Sequence, residues 1–242
     1  MYFIIFIAAL SIIASFVAVV SGFGLSSMMI PLLSLFLPLP EVVLLVGIIH
    51  LANSCFKSTL FSHGLDWKLF IYFGVPSIIF SYIGASLIAE QINDYLVRLF
   101  GLFFIAYTAL IFLVPDFKVK KTKRTMVAGG TTYGFAVGFF GIGGEIKCVF
   151  LSAFDMRKAV YIATTGILGV FVDATRVATY WYRGMQMDTV LWWGLLLILP
   201  ATLLGAWVGR FFVGKIPQKK FRLVVGGFLF LIGVRFLFFP AL

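Results

Sequence analysis

Charge is what this sequence has least of. Asp, Glu, Lys and Arg make up 12% of the 242 residues and apolar residues 62%, whereas about a quarter of a soluble domain is charged. With a mean hydropathy of +1.11, that balance excludes a water-soluble globule and leaves a polytopic membrane protein. Cysteine is nearly as scarce. Cys55 and Cys148 both fall inside apolar runs, which excludes a disulfide framework or a cysteine metal cluster. No Walker motif, Rossmann fingerprint or zinc spacing occurs, so ATP hydrolysis is not expected, and neither a cofactor nor a metal site is read from the sequence. The first apolar run, Tyr2 to Val20, has no lysine or arginine before it. A cleaved signal peptide begins with a basic region, so this run is expected to be retained.

What is present is a set of apolar runs joined by short basic connections. The net charge of +10 would suggest nucleic acid in a soluble chain. Here it reads as membrane topology, with no nucleic-acid partner. Lys118, Lys120, Lys121, Lys123 and Arg124 face one acid, Asp116, between Pro115 and Thr125. This strongly polar stretch separates a first membrane unit, residues 1–114, from a second, 126–242, with 115–125 as a cytoplasmic linker. The first unit has a run broken at Ser21 to Ser27, a short piece to Leu37, and spans near Val42 to Phe61, Leu69 to Ala89 and Tyr95 to Val114. The second repeats the order, with a run from Met126 broken at Gly138 to Gly144, a short piece to Phe154, and spans near Ala159 to Tyr182, Val190 to Val213 and Phe221 to Phe239.

Individual residues repeat as well. A shift of 117 positions lays Gly24 on Gly141, and Ser26 and Ser27 on Gly143 and Gly144. Placing the basic clusters on one side requires each half to cross the membrane an odd number of times. The expected fold is therefore an all-α polytopic membrane protein of two inverted-topology repeats, each a glycine-broken short helix pair plus three long transmembrane helices. The broken pairs satisfy this parity either as re-entrant segments or as two short crossings.

The breaks are the first candidates for function. Gly138, Gly141, Gly143 and Gly144 occur within seven positions, followed by Glu145 and Lys147. A broken backbone inside hydrocarbon needs protein or a wet cavity to satisfy its polar groups. A helix starting there turns its free N–H groups and positive dipole end toward any ligand, an environment suited to an anion. Close helix packing is the competing explanation for the glycines.

Polar side chains inside the spans come next. Asp173 and Arg176 stand at i,i+3, either to hold an anion and carry a proton or as a self-neutralising packing pair. His50, Asn53 and Lys57 form a stripe on the equivalent first-half helix. His50 reads as a proton carrier or a packing histidine, and Lys57 as a site group or a snorkelling cation. Glu145 and Lys147 point in different directions on a regular helix. If Glu145 lines the site it is either protonated or balanced by Lys147 or Arg176, which would make transport depend on pH.

These motifs carry a family resemblance. The small-Gly-x-Gly-Gly openings of both halves, the Gly84-Ala85 and Gly205-Ala206 pairs, and the Arg98-Leu99 and Arg222-Leu223 starts resemble the TauE/SafE family, also called the sulfite exporter family. So does the Arg183-Gly184 to Asp188 connection. Glu145 stands where family members commonly carry another glycine, and Ser26 and Ser27 replace glycines of the first motif. The resemblance implies transport of a sulfur oxyanion or organosulfonate across the bacterial inner membrane. The expected function is then a secondary transporter, an exporter of a small anion with proton coupling. A membrane-embedded enzyme using His50, Glu145 or Asp173, and a passive anion channel, are the alternatives. Substrate-binding candidates are Gly24, Ser26, Ser27, Asn53, Gly141, Gly143, Gly144 and Arg176, while His50, Lys57, Glu145, Lys147 and Asp173 are candidates for coupling or charge balance. The partners implied are a small anion and the bilayer, with a homo-oligomer left open.

Overall fold

Apolar runs this long leave the backbone few ways to satisfy itself in hydrocarbon, and every regular element among the described residues is a helix. The computed structural model describes residues 2–21, 25–60, 64–90, 94–113, 120–152, 154, 158–212 and 218–240. Gly24 lies outside them, as do the side chains of Lys57, Glu145 and Cys148.

Two broken hairpins open the two halves. Helix α1 (Tyr2–Ser21) turns back through α2 (Leu25–Leu33), and α7 (Lys123–Phe140) through α8 (Gly144–Ser152). In the first, Ser11 Oγ lies 3.8 Å from Met29 Sδ, and Phe36 meets the rings of Phe3 and Phe6 at 6.1 and 5.8 Å. In the second, the Lys147 ammonium sits 5.4 Å from the centre of the Tyr133 ring, and that of Lys121 sits 6.0 Å from the Phe154 ring. Positions advance along one limb while they retreat along the other, so each hairpin enters and returns at the same end.

The long helices are α3 (Leu39–Leu60), α4 (Trp67–Leu69) running through a π turn at Phe70–Gly74 into α5 (Val75–Glu90), α6 (Asp94–Leu113), α9 (Lys158–Tyr182), α10 (Thr189–Gly209) and α11 (Gln218–Phe238). By length and composition, the segments Tyr2–Val20, Leu39–Phe56, Trp67–Ala89 and Thr189–Phe212 are apolar enough to cross a membrane. Helix α1 lies on α10, α7 on α5, α3 on α9 and α6 on α11.

Small residues let these pairs approach. Gly130, Gly134 and Gly138 of α7 stand four apart and rest against the backbones of Phe73, Ser77 and Ser81, also four apart. Gly205 and Gly209 of α10 meet Ile12 and Phe16 of α1 in the same way. The expectation that Gly138 belongs to the break is therefore corrected: it is helical, and it is a packing glycine.

Contacts between connections show which ends lie together. The Lys121 ammonium pairs with Asp66 at 2.9 Å, and the Asp66 N–H donates to Thr164 Oγ1 at 3.2 Å. The linker, the start of α4 and the first turns of α9 thus share one end. At the other, the Asp188 N–H donates to Glu41 Oε2 at 3.3 Å. The linker is also shorter than expected. Thr122 caps α7 through a reciprocal pair of hydrogen bonds with Thr125, so Lys123 and Arg124 are already helical.

Candidate functional site

Helix α7 stops where its backbone turns left-handed. Gly141 has φ +71° and donates its N–H to the Val137 carbonyl at 3.0 Å, the helix-ending conformation that glycine adopts without a Cβ clash. A Cβ there would also sit 2.4 Å from Ile30 Cδ1. Ile142 and Gly143 bridge to Gly144, the first residue of α8, whose first-turn N–H groups have no partner within their own helix.

Ile30 lies five residues into α2, so the tip of the second hairpin runs alongside α2 by roughly one helical turn. Ser26 and Ser27 are corrected: they lie in the first turn of α2 and not within an interruption.

Beside the second break stands an ionic centre at the α3–α9 contact, near the middle of both helices. These helices run antiparallel: Gly47 faces Val177, His50 meets Asp173, and Ser54 packs on Gly169. Asp173 and Arg176 are both wholly buried. Arg176 Nε donates to Asp173 Oδ1 at 3.0 Å, and Nη1 donates to the Gly141 carbonyl at 3.2 Å. Nη2 lies 2.9 Å from the same Oδ1, near enough for ionic attraction but off the direction of a hydrogen bond, and it has no hydrogen-bond partner. The other carboxylate oxygen, Oδ2, lies 2.6 Å from His50 Nδ1 and accepts from Ser54 Oγ at 2.9 Å.

Asp173 therefore has a different partner set on each oxygen. That arrangement justifies its burial, because a lone carboxylate in hydrocarbon costs about 2.5–3.5 kcal/mol even on lenient insertion scales. It also gives Arg176 two hydrogen-bonded anchors, with Nη2 held by ionic contact alone. Ser27 Oγ at the start of α2 and Asn53 Nδ2 and Oδ1 on α3 are also buried without a hydrogen-bond partner, as are Ser15 Oγ, Ser86 Oγ and Arg235 Nη1 elsewhere among the described residues. Most buried polar groups are paired, so Ser27 and Asn53 are candidates for contact with a polar ligand.

Not all the predicted residues gather at this centre. His50, Asp173, Arg176 and Gly141 are linked in that order by successive contacts. Asn53 lies one turn from His50 on α3, and Gly143 and Gly144 continue the break. Lys147 turns back toward Tyr133 in the limb of its own hairpin. Ser54 and Tyr180 were not anticipated. Ser54 is four residues after His50, and Tyr180 is four after Arg176 and donates its hydroxyl to the Gly138 carbonyl at 2.5 Å. The i,i+4 spacing from a known site residue was the signal available for both.

Taken together, apolar helices of spanning length and a buried charge centre among them define a multi-pass helical membrane protein with an internal polar site. The chain belongs to the sulfite exporter TauE/SafE family, whose model matches residues 7–236. A probable membrane transporter protein of Methanocaldococcus jannaschii is 31% identical over 107 residues, which is 41% of this chain and 40% of that relative's length. No solved structure matches the chain.

Proposed function

We propose that this chain is a secondary transporter that exports a small anion across the cell membrane, of the sulfur oxyanion or organosulfonate class, with movement coupled to protons. The observation that carries this reading is Arg176: a permanently charged guanidinium, wholly buried beside the start of α8, with Nη2 lacking a hydrogen-bond partner. A planar cation with a spare donor suits an oxyanion, and the first N–H groups of α8 would add uncharged donors. Ser27 and Asn53 supply neutral hydrogen-bonding groups on the first hairpin and α3, a set suited to the remaining oxygens of a sulfonate or sulfite. The family's name supports the sulfur chemistry.

The packing also supports duplication with inverted topology. If α1, α2, α3, α5 and α6 correspond to α7, α8, α9, α10 and α11, then α1 on α10 is the counterpart of α7 on α5, and α3–α9 and α6–α11 are self-paired. A pseudo-two-fold of this kind places the site at the repeat interface, where alternating access operates.

The test is flux in proteoliposomes of purified protein with sulfite, sulfoacetate, sulfate and a simple carboxylate, with and without a pH gradient. Saturable movement of a sulfur oxyanion, accelerated by the gradient, is expected. Movement of a cation with no anion flux would refute the reading, and movement that never accumulates against a gradient would indicate a channel.

A further inference from the structure

Asp173 lies between two nitrogen bases, and only one of them is permanently charged. Arg176 holds Oδ1, while His50 and Ser54 hold Oδ2. With Asp173 ionised against Arg176, its Oδ2 accepts, so His50 Nδ1 carries the hydrogen and Nε2 is the open base. The His50 side chain is 16% exposed, whereas Asp173 and Arg176 are fully enclosed. Of the three, His50 alone presents surface by which a proton can enter from outside the packed centre.

From this shared carboxylate we infer that His50 is the coupling group, and that its protonation transfers the Asp173 charge from Arg176 to the imidazolium, freeing Arg176 for the anion. This rests on the transporter reading above and names its coupling device. When Nε2 binds a proton, the hydrogen bond to Asp173 becomes an ion pair. One carboxylate then compensates two cations, and the surplus positive charge lies at the guanidinium of Arg176, whose Nη2 has no hydrogen bond to release. When the proton leaves, Asp173 again neutralises Arg176 and the anion is held less tightly. Linkage makes the effect reciprocal, so anion binding must draw a proton onto His50.

The groups acting on the His50 ring are Ser54 on its own helix, Asp173 and Arg176 on α9, and Lys147 on α8. Lys147 is a further cation acting on the ring from α8. Glu145 is a further titratable residue of α8, with its side chain outside the described residues.

The experiment is isothermal titration of the purified full chain with sulfate and with methanesulfonate, probes that do not themselves titrate near neutral pH. It is run in buffers of different ionisation enthalpy so that protons taken up on binding are counted. Wild-type protein is expected to take up close to one proton per anion on the alkaline side of the transition, with affinity falling by up to about tenfold per pH unit there. The H50Q variant, checked for folding by its thermal transition, is expected to bind with no proton uptake and no such pH dependence.

Wild-type binding without proton uptake overturns the inference whether or not the variant folds. Proton uptake that persists in H50Q assigns the proton elsewhere and overturns it as well. Absence of binding by either anion at every pH, together with no flux in vesicles, instead removes the anion site itself and this inference with it.

Discussion

Arg176 donates through Nη1 to the carbonyl of Gly141 at 3.2 Å, tying a long helix to the tip of the second hairpin. The same side chain holds Asp173 through Nε at 3.0 Å. A ligand that engaged Nη2 would therefore act on both the hairpin tip and the α3–α9 contact. Arg176→Ala is expected to abolish flux and also to destabilise the fold by roughly 3–5 kcal/mol, because it strands a buried carboxylate. The double variant R176Q/D173N separates the two effects. Its thermal transition should recover toward wild type while flux stays absent; recovery of flux would reduce Arg176 to a packing residue.

Gly141 has little tolerance for any side chain. Its φ of +71° costs an L-residue about 1–2 kcal/mol, and a Cβ would lie 2.4 Å from Ile30 Cδ1. Gly141→Ala should lower the thermal transition and slow flux. The pair G141A/I30V should regain the part due to overlap but not the part due to φ. Melting both variants in detergent checks the difference.

Gly134 is a backbone contact and not a site residue. Its Cβ would fall 2.2 Å from the Ser77 carbonyl, which cannot give way as a flexible side chain can. Gly134→Val should force α5 and α7 apart and reduce folded yield, whereas Gly227→Ala, with nothing within 4 Å, should be nearly silent. Size-exclusion yield and thermal transitions of the two variants decide this.

Asp66 supplies a pH dependence at the membrane edge. Partial burial opposes its ionisation, but the hydrogen bond from Lys121 and the Leu69 N–H outweigh that and hold its carboxyl below the ordinary value of 3.8. A depressed carboxyl contributes stability that is fully present above its unfolded-state pKa and is lost as pH falls through the folded-state pKa. Asp66→Asn should therefore melt lower than wild type at pH 6, by an amount worth up to about 1 kcal/mol, and the gap should close in the acid range below 3.8. An unchanged gap across that range would show that the ionised pair contributes nothing. The Lys121 contact should also weaken with added salt, since both side chains are partly exposed.

Much of the architecture could be read along the chain because one-dimensional signals report it directly. The apolar runs set the helices to within a few residues: Asp94–Leu113 was expected at Tyr95 to Val114, and Lys158–Tyr182 at Ala159 to Tyr182. The break after Phe140 was visible in its glycines, and the Asp173–Arg176 pair in its i,i+3 spacing. The exceptions have physical causes. The start of α7 was missed because the Thr122–Thr125 cap lies inside a basic stretch that looked like loop. The π turn at Phe70–Gly74 has no marker in an otherwise regular apolar run. Gly138 was assigned to the break because a packing glycine and a breaking glycine are the same residue until a neighbouring helix is known.

By itself the sequence determined the solvent, the helical class, the positions of the breaks and which side chains must avoid lipid. Each follows from hydropathy, backbone satisfaction or the cost of charge in hydrocarbon, none of which needs a neighbour. Tertiary structure alone decided that the breaks belong to helical hairpins and that the tip of the second lies beside α2. It also decided that His50 reaches across 123 positions of sequence to share Asp173 with Arg176. Those facts depend on which helix lies against which, and here that follows from where glycine backbones can approach: α7 on α5, α10 on α1, and Gly47 and Gly169 at the α3–α9 seam.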